Sequence, residues 1–245
     1  MARGEPTILA TSGGFFSDPR TGYRVGPLLD LAVELAHPRS TPRLCFVGTA
    51  TGDEAAGKAA VHAAYYERDA VVTCLDLFPM PNLQDVEGHL ASRDVIWVGG
   101  GSSANLLALW RLHGLDVILR HCWESGVVLG GVSAGSLCWH VGGTTDSFGP
   151  DLRALTDGLG FLPWSNCPHY DAEEQRRPLY RRLVAEGTLP AGYATDNGVG
   201  LLYRGVEMVG AMTEVAGSAA YFVERGPDGT AHETRLDPQV LAGAR

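Results

Sequence analysis

The sequence predicts an α/β fold: a three-layer α/β/α sandwich around a mainly parallel central sheet, closed by a C-terminal β-meander. Two observations carry this expectation. Short runs rich in β-branched residues alternate with helix-compatible stretches from residue 8 to residue 132, and such alternation implies βαβ units with helices on both faces of a parallel sheet. Twice, a glycine-rich turn joins one of these runs directly to a helix, at Gly99-Gly-Gly-Ser-Ser103 and at Gly131-Val-Ser-Ala-Gly135.

Taken in order, the candidate strands are residues 8–11 (ILAT), 44–48, 71–77, 95–99 and 127–132, each short and apolar. Helices are expected between them at 27–36, 53–68, 104–112 and 115–124. After Pro150 the pattern changes. A helix at 172–186 is followed by short strand-like pieces at 198–203, 207–211 and 220–224, separated by glycine-containing turns, which read as a meander continuing the sheet or its edge. No repeat, linker or low-complexity run divides the 245 residues, so one domain spanning 1–245 is expected.

Composition narrows the function. With 45% hydrophobic and 19% charged residues this is an ordinary soluble globular chain able to bury a sizeable core. A net charge of −9 without an offsetting basic patch excludes non-specific binding to nucleic acid or to an anionic membrane. The N-terminal apolar run is too brief for a signal peptide, and no run approaches the roughly 20 residues of a spanning helix. The five cysteines (Cys45, Cys74, Cys122, Cys138 and Cys167) are odd in number and mostly lie in apolar runs. They read as reduced core residues of a cytosolic protein.

Gly131-Val-Ser-Ala-Gly135 fits G-x-S-x-G where that pattern has mechanical meaning, between a strand and a helix. The glycines remove side chains that would clash in so sharp a turn. Ser133 would then project above the sheet edge, with helix N–H groups aimed at a developing oxyanion. For its base, His169 stands apart from the helical or terminal histidines, because it ends a short extended segment and opens a loop. The orienting acid is open between Asp196, in a Thr-Asp-Asn-Gly turn, and Asp146. The triple-glycine loop lacks the Lys-Ser/Thr ending of a P-loop and is not G-x-G-x-x-G. A backbone N–H facing the serine is its more economical reading.

Together, Val98-Gly-Gly-Gly-Ser102, Gly131-Val-Ser-Ala-Gly-Ser136, Cys167-Pro-His-Tyr170 and Gly192-Tyr-Ala-Thr-Asp-Asn-Gly198 resemble the peptidase E family. That family comprises aspartyl dipeptidases of serine type, with cyanophycinases as relatives, on the class I glutamine amidotransferase-like (flavodoxin-like) fold. The resemblance implies Ser133 as nucleophile, His169 as base, the N–H groups of Gly101 and Ala134 as oxyanion hole, and Arg176 as a cation for a substrate carboxylate. It departs at one point: dipeptidase members carry Glu where this chain has Thr195, with Asp196 one residue later.

The reading is therefore a cytoplasmic serine peptidase acting on a short peptide, with N-terminal Asp acceptable through Arg176. It implies no cofactor, no metal, no nucleic acid and no membrane, and leaves a dimer open. The alternatives are a cyanophycinase-like isopeptidase, a non-catalytic binding member of the fold, and an α/β-hydrolase, whose triad order Ser…Asp…His disagrees with Ser133, His169, Asp196.

Overall fold

The computed structural model describes residues 4–245. The first half of the chain forms β1 (Thr7–Thr11), a hairpin of β2 (Phe15–Asp18) and β3 (Gly22–Val25), α1 (Pro27–Leu35), β4 (Arg43–Val47), α2 (Ala55–Ala64), β5 (Val71–Leu75) and α3 (Val86–Ala91). Then come β6 (Val95–Val98), α4 (Ser103–His113), α5 (Leu115–Glu124), β7 (Val128–Val132) and the short α6 (Ala134–Leu137). The second half holds β8 (His140–Thr145), β9 (Arg153–Leu155), β10 (Leu162–Pro168), α7 (Arg176–Glu186), β11 (Gly192–Thr195) and β12 (Val199–Arg204). It ends with β13 (Glu207–Thr213), β14 (Ala220–Arg225), β15 (Ala231–Leu236) and β16 (Gln239–Val240).

Local chemistry sets the helix ends. Pro27 opens α1, where its missing N–H costs nothing. The Ser102 hydroxyl caps α4 by accepting from Asn105 N–H at 3.2 Å, and Gly114 ends that helix at φ 70°. β1 and β6 are buried along their whole length, as expected of strands covered on both faces.

The main sheet has the order β16-β13-β12-β1-β7-β6-β4-β5. Its centre, β1, β7, β6, β4 and β5, is parallel, and β12 joins β1 antiparallel. Leu29 and Ala32 of α1 and Val61 of α2 pack with Leu9, Leu44 and Trp97. Leu106, Trp110 and Leu119 of α4 and α5 pack with Leu129 of β7 and with Ile8 and Ile96, which alternate with Leu9 and Trp97 along β1 and β6. Each buried Leu, Ile or Val among them contributes about 1.5–3 kcal/mol.

A second sheet, β15-β14-β11-β10-β8-β9, was not expected. The run Ser136-Leu-Cys-Trp-His-Val141 reads as helix-compatible, yet α6 stops at Leu137 and β8 begins at His140. Nor does the C-terminal part form one meander. β12, β13 and β16 extend the main sheet, while β11, β14 and β15 complete the second. The chain crosses between sheets at Asp196-Asn-Gly198, where Gly198 turns at φ 81°. Pairing partners far apart in sequence decide this division, which is why periodicity alone does not reveal it. The hairpin β2–β3 and helix α3 were likewise not expected, and α7 begins at Arg176 rather than residue 172.

Both sheets converge on one place. The register aligns Val98 with Gly131 and Thr11 with Val132, so the carboxyl ends of β6, β7 and β1 lie level. In the second sheet, β10 and β11 run parallel and end at Pro168 and Thr195. The loops following all five strands form the rim on which α/β proteins place their chemistry.

Candidate active site

Ser133 follows β7 at φ 57°, ψ −110°, a conformation unfavourable to any residue with a Cβ. Its N–H donates to Thr11 O at 3.1 Å, while its carbonyl accepts the N–H groups of Ser136 and Leu137, both at 2.9 Å. The turn closes onto β6 so tightly that neighbouring side chains are impossible. A Cβ on Gly135 would lie 2.2 Å from Val98 O, and one on Gly131 would lie 2.5 Å from the same oxygen. Ala134 opens α6, at the turn whose first N–H groups have no acceptor within the helix. On the facing loop, Gly101 sits at φ 133° with its Cβ position 2.5 Å from Ala50 O. A Cβ on Gly100 would touch Ser133 Cβ at 3.3 Å, so the triple-glycine loop lies directly against the serine.

His169 follows β10, also in the left-handed region at φ 58°. The Ser12 hydroxyl, in the loop after β1, holds it there by accepting its N–H at 3.0 Å. Ser12 Oγ in turn lies 2.7 Å from Thr195 Oγ1. His169 Nδ1 is 2.5 Å from Asn197 Oδ1, so an Nδ1–H donates to the amide and leaves the Nε2 lone pair available as a base. Asn197 is itself fixed by its N–H donating to Asp171 Oδ1 at 2.8 Å. Burial pushes the imidazole below the ordinary histidine pKa, while the Asn197 hydrogen bond acts the other way.

A cavity of about 410 Å³ brings together Ser133, His169, Gly101, Asp146, Glu173 and Arg176. Arg176 is 3% exposed, with one guanidinium nitrogen on Glu173 Oε1 at 2.8 Å, another on Thr144 O at 3.4 Å, and its buried Nε without a partner.

A model of peptidase family S51 matches residues 8–209. The chain belongs to peptidase family S51. "Uncharacterized peptidase YgaJ" of Bacillus subtilis (strain 168) is 41% identical over 216 residues, covering 88% of this chain and 91% of that protein. Among solved structures, a peptidase from an acI-B1 Actinobacterium superposes with a TM-score of 0.67 at 15% identity, covering 97% of this chain and 96% of that one. A structure named as a peptidase E protein from Listeria monocytogenes EGD-e gives 0.56 at 19% identity, covering 96% and 100%. At these identities the two structures establish a shared fold.

Within this S51 peptidase, most residues singled out in the sequence meet at the cavity, but Asp196 does not contact the imidazole as a triad acid would. Its Oδ2 accepts Ala219 N–H at 2.9 Å, and the residue at His169 Nδ1 is the next one, Asn197. Successive side chains at the end of an extended segment face opposite ways, so a step of one residue changes what meets the histidine. Asp146 is exposed on the cavity wall. Neither Asn197 nor Ser12 stands out in the sequence as a site residue. The available signal was their place in loops directly after strands, Thr11-Ser-Gly-Gly14 and Asp196-Asn-Gly198. The remaining histidine in the vicinity, His140, is fully buried between Ser136 O (3.0 Å) and the Tyr203 hydroxyl (3.2 Å), with its pKa pushed down to about 4. No helix among the described residues is long and apolar enough to cross a membrane.

Proposed function

We propose that this S51 peptidase hydrolyses short peptides through an acyl-enzyme on Ser133. The observation that carries the proposal is the strained serine at φ 57°, ψ −110°, opening into a cavity that His169 also lines. Strain of this kind persists only where the surrounding structure enforces it, and it gathers at functional sites.

In the proposed cycle, His169 Nε2 takes the Ser133 hydroxyl proton as Oγ attacks the peptide carbonyl. The N–H groups of Gly101 and Ala134 receive the developing oxyanion. Asn197 keeps the Nδ1–H tautomer and the ring orientation, in the place where triads usually hold a carboxylate. The imidazolium then protonates the leaving amine. Water, deprotonated by the same nitrogen, releases the acyl group. Because burial lowers the His169 pKa, the base stays neutral to lower pH than an exposed histidine would. Arg176, beside the cavity with an unpartnered Nε, supports recognition of an acidic substrate residue such as N-terminal Asp. Such a group competes with Glu173, already on the guanidinium.

The test combines a serine-directed fluorophosphonate probe with a dipeptide panel comparing Asp-X with non-acidic X-X. Labelling of the wild type, none of Ser133→Ala, and preferential cleavage of Asp-X are expected. A wild-type protein that neither labels nor cleaves any member would refute the reading. Cleavage without preference for Asp would remove Arg176 from it.

A further inference from the structure

A second cavity, of about 300 Å³, adjoins the first. The two share His169, and where the first is lined by Gly101 and Ser133, the second is lined by their chain neighbours Gly100 and Val132. The glycine loop and the elbow thus form the partition, with the serine at its edge. The two sides differ in chemistry. Beside Ser133 the first carries Asp146, Glu173 and Arg176. The second has aromatic walls: Phe15 and Tyr23 from the β2–β3 hairpin, Phe46 from β4 and Trp97 from β6. Glycines make room for those rings, since a Cβ on Gly14 would lie 2.5 Å from Trp97 and one on Gly99 would lie 3.0 Å from Phe46.

The charges of this second cavity favour an apolar occupant. Apart from His169, the side chains in it that carry charge near neutral pH are Glu54 and Lys58. Lys58 is held by Asp76 at 2.5 Å, and Glu54 is exposed, so the uncompensated charge at the mouth is negative. An acidic side chain would be repelled. The volume also fits, because a cavity of about 150 Å³ already accommodates benzene.

We infer that the aromatic cavity is the subsite for the residue on the amine side of the scissile bond, and that it selects a large apolar side chain, aromatic or aliphatic. This rests on the acyl-enzyme reading. There, the acyl carbonyl points at the Gly101 N–H on the side of the charged cavity, and the leaving amine lies against His169, which opens into the aromatic one. The enzyme then reads one polar and one apolar residue across a single bond.

The experiment measures kcat/KM for wild-type protein on dipeptides of fixed acyl residue with Phe, Leu, Gly or Glu on the amine side, and on the same pairs reversed. Phe and Leu should exceed Gly and Glu by on the order of ten- to a hundredfold, the range of a hydrophobic pocket, and reversal should abolish the preference. Gly57→Leu fills the cavity from α2, where a Cβ meets only the Glu54 side chain at 3.5 Å. It should collapse the Phe-to-Gly ratio. In parallel, Ser133→Ala protein is titrated with free L-phenylalanine and with glycine, followed by intrinsic tryptophan fluorescence, to which Trp97 in the cavity wall contributes. Saturable binding of phenylalanine, lost in the added Gly57→Leu variant, supports the subsite even if no peptide is cleaved, an outcome that would refute only the proposed function. Cleavage indifferent to the amine-side residue, with no phenylalanine binding, overturns the subsite and leaves the peptidase reading standing. A preference that follows the acyl side instead also overturns it.

Discussion

Asn197→Ala removes the one side chain bonded to His169 Nδ1. Two terms set its cost. A neutral hydrogen bond contributes about 0.5–1.5 kcal/mol net, and holding the ring in one orientation is worth about 0.5–1 kcal/mol of side-chain entropy. Their sum, about 1–2.5 kcal/mol, corresponds to roughly a 5- to 70-fold loss in kcat/KM. The backbone of His169 stays anchored on Ser12, so the ring is loosened rather than displaced. Asn197→Asp puts a carboxylate at the same place. The exposed edge of Asn197 lets water screen part of the added charge, but the carboxylate sits within hydrogen-bond distance of Nδ1 on a half-buried ring, so the charged imidazole gains an opposite charge beside it. The imidazolium is favoured, and the His169 pKa rises. In the proposed cycle the neutral imidazole is the active form, so the acid limb of kcat/KM is expected to move to higher pH in Asn197→Asp. The assay is a pH profile of kcat/KM for wild type and both variants on one dipeptide. An Asn197→Ala protein with wild-type kcat/KM and an unmoved acid limb in Asn197→Asp would refute the assignment, since a group bonded to the base cannot be indifferent to both changes.

Ser133→Ala should lower kcat by at least a thousandfold, with an unchanged thermal midpoint, checked by calorimetry beside a progress-curve assay. Gly101→Ala forces a Cβ to 2.5 Å from Ala50 O at φ 133°, so both stability and turnover should fall, the second measured on protein shown by circular dichroism to be folded. Asp196→Asn keeps an acceptor for the Ala219 N–H and should hold kcat within about threefold, whereas Asp196→Ala orphans that buried donor and should cost about 1–3 kcal/mol in urea unfolding. For His140, the folded pKa near 4 lies below the unfolded value near 6.5, so the unfolded chain binds the extra proton between them. Its contribution is complete above about pH 6.5 and is lost on acidification toward pH 4, by up to about 3 kcal/mol. Denaturant titrations at pH 7, 5 and 4 should show this fall, and a folded His140→Gln variant should flatten it.

Where structure follows from neighbours in the chain, the sequence was sufficient. Each expected strand and helix of the first half is present, with shifted bounds, because burial on both faces and strand-to-helix alternation are written in local composition. The glycines around Ser133 are legible for the same reason: at 2.2 Å and 2.5 Å from Val98 O, positions 135 and 131 tolerate no Cβ, and the pattern records that constraint directly. The place of His169, after a strand and before a helix, is also local. Long-range pairing decided the rest. Val199–Arg204 lies on β1 while Gly192–Thr195 lies on β10, about four-fifths of the chain apart in one case and fewer than 40 residues in the other. The segment between them must therefore cross from sheet to sheet. That crossing turns Asp196 toward Ala219 and Asn197 toward His169. In sequence, Asp-Asn-Gly is only good turn chemistry, and neither the direction of each side chain nor the wall that Phe15 and Tyr23 build beside the serine exists until the two sheets are assembled.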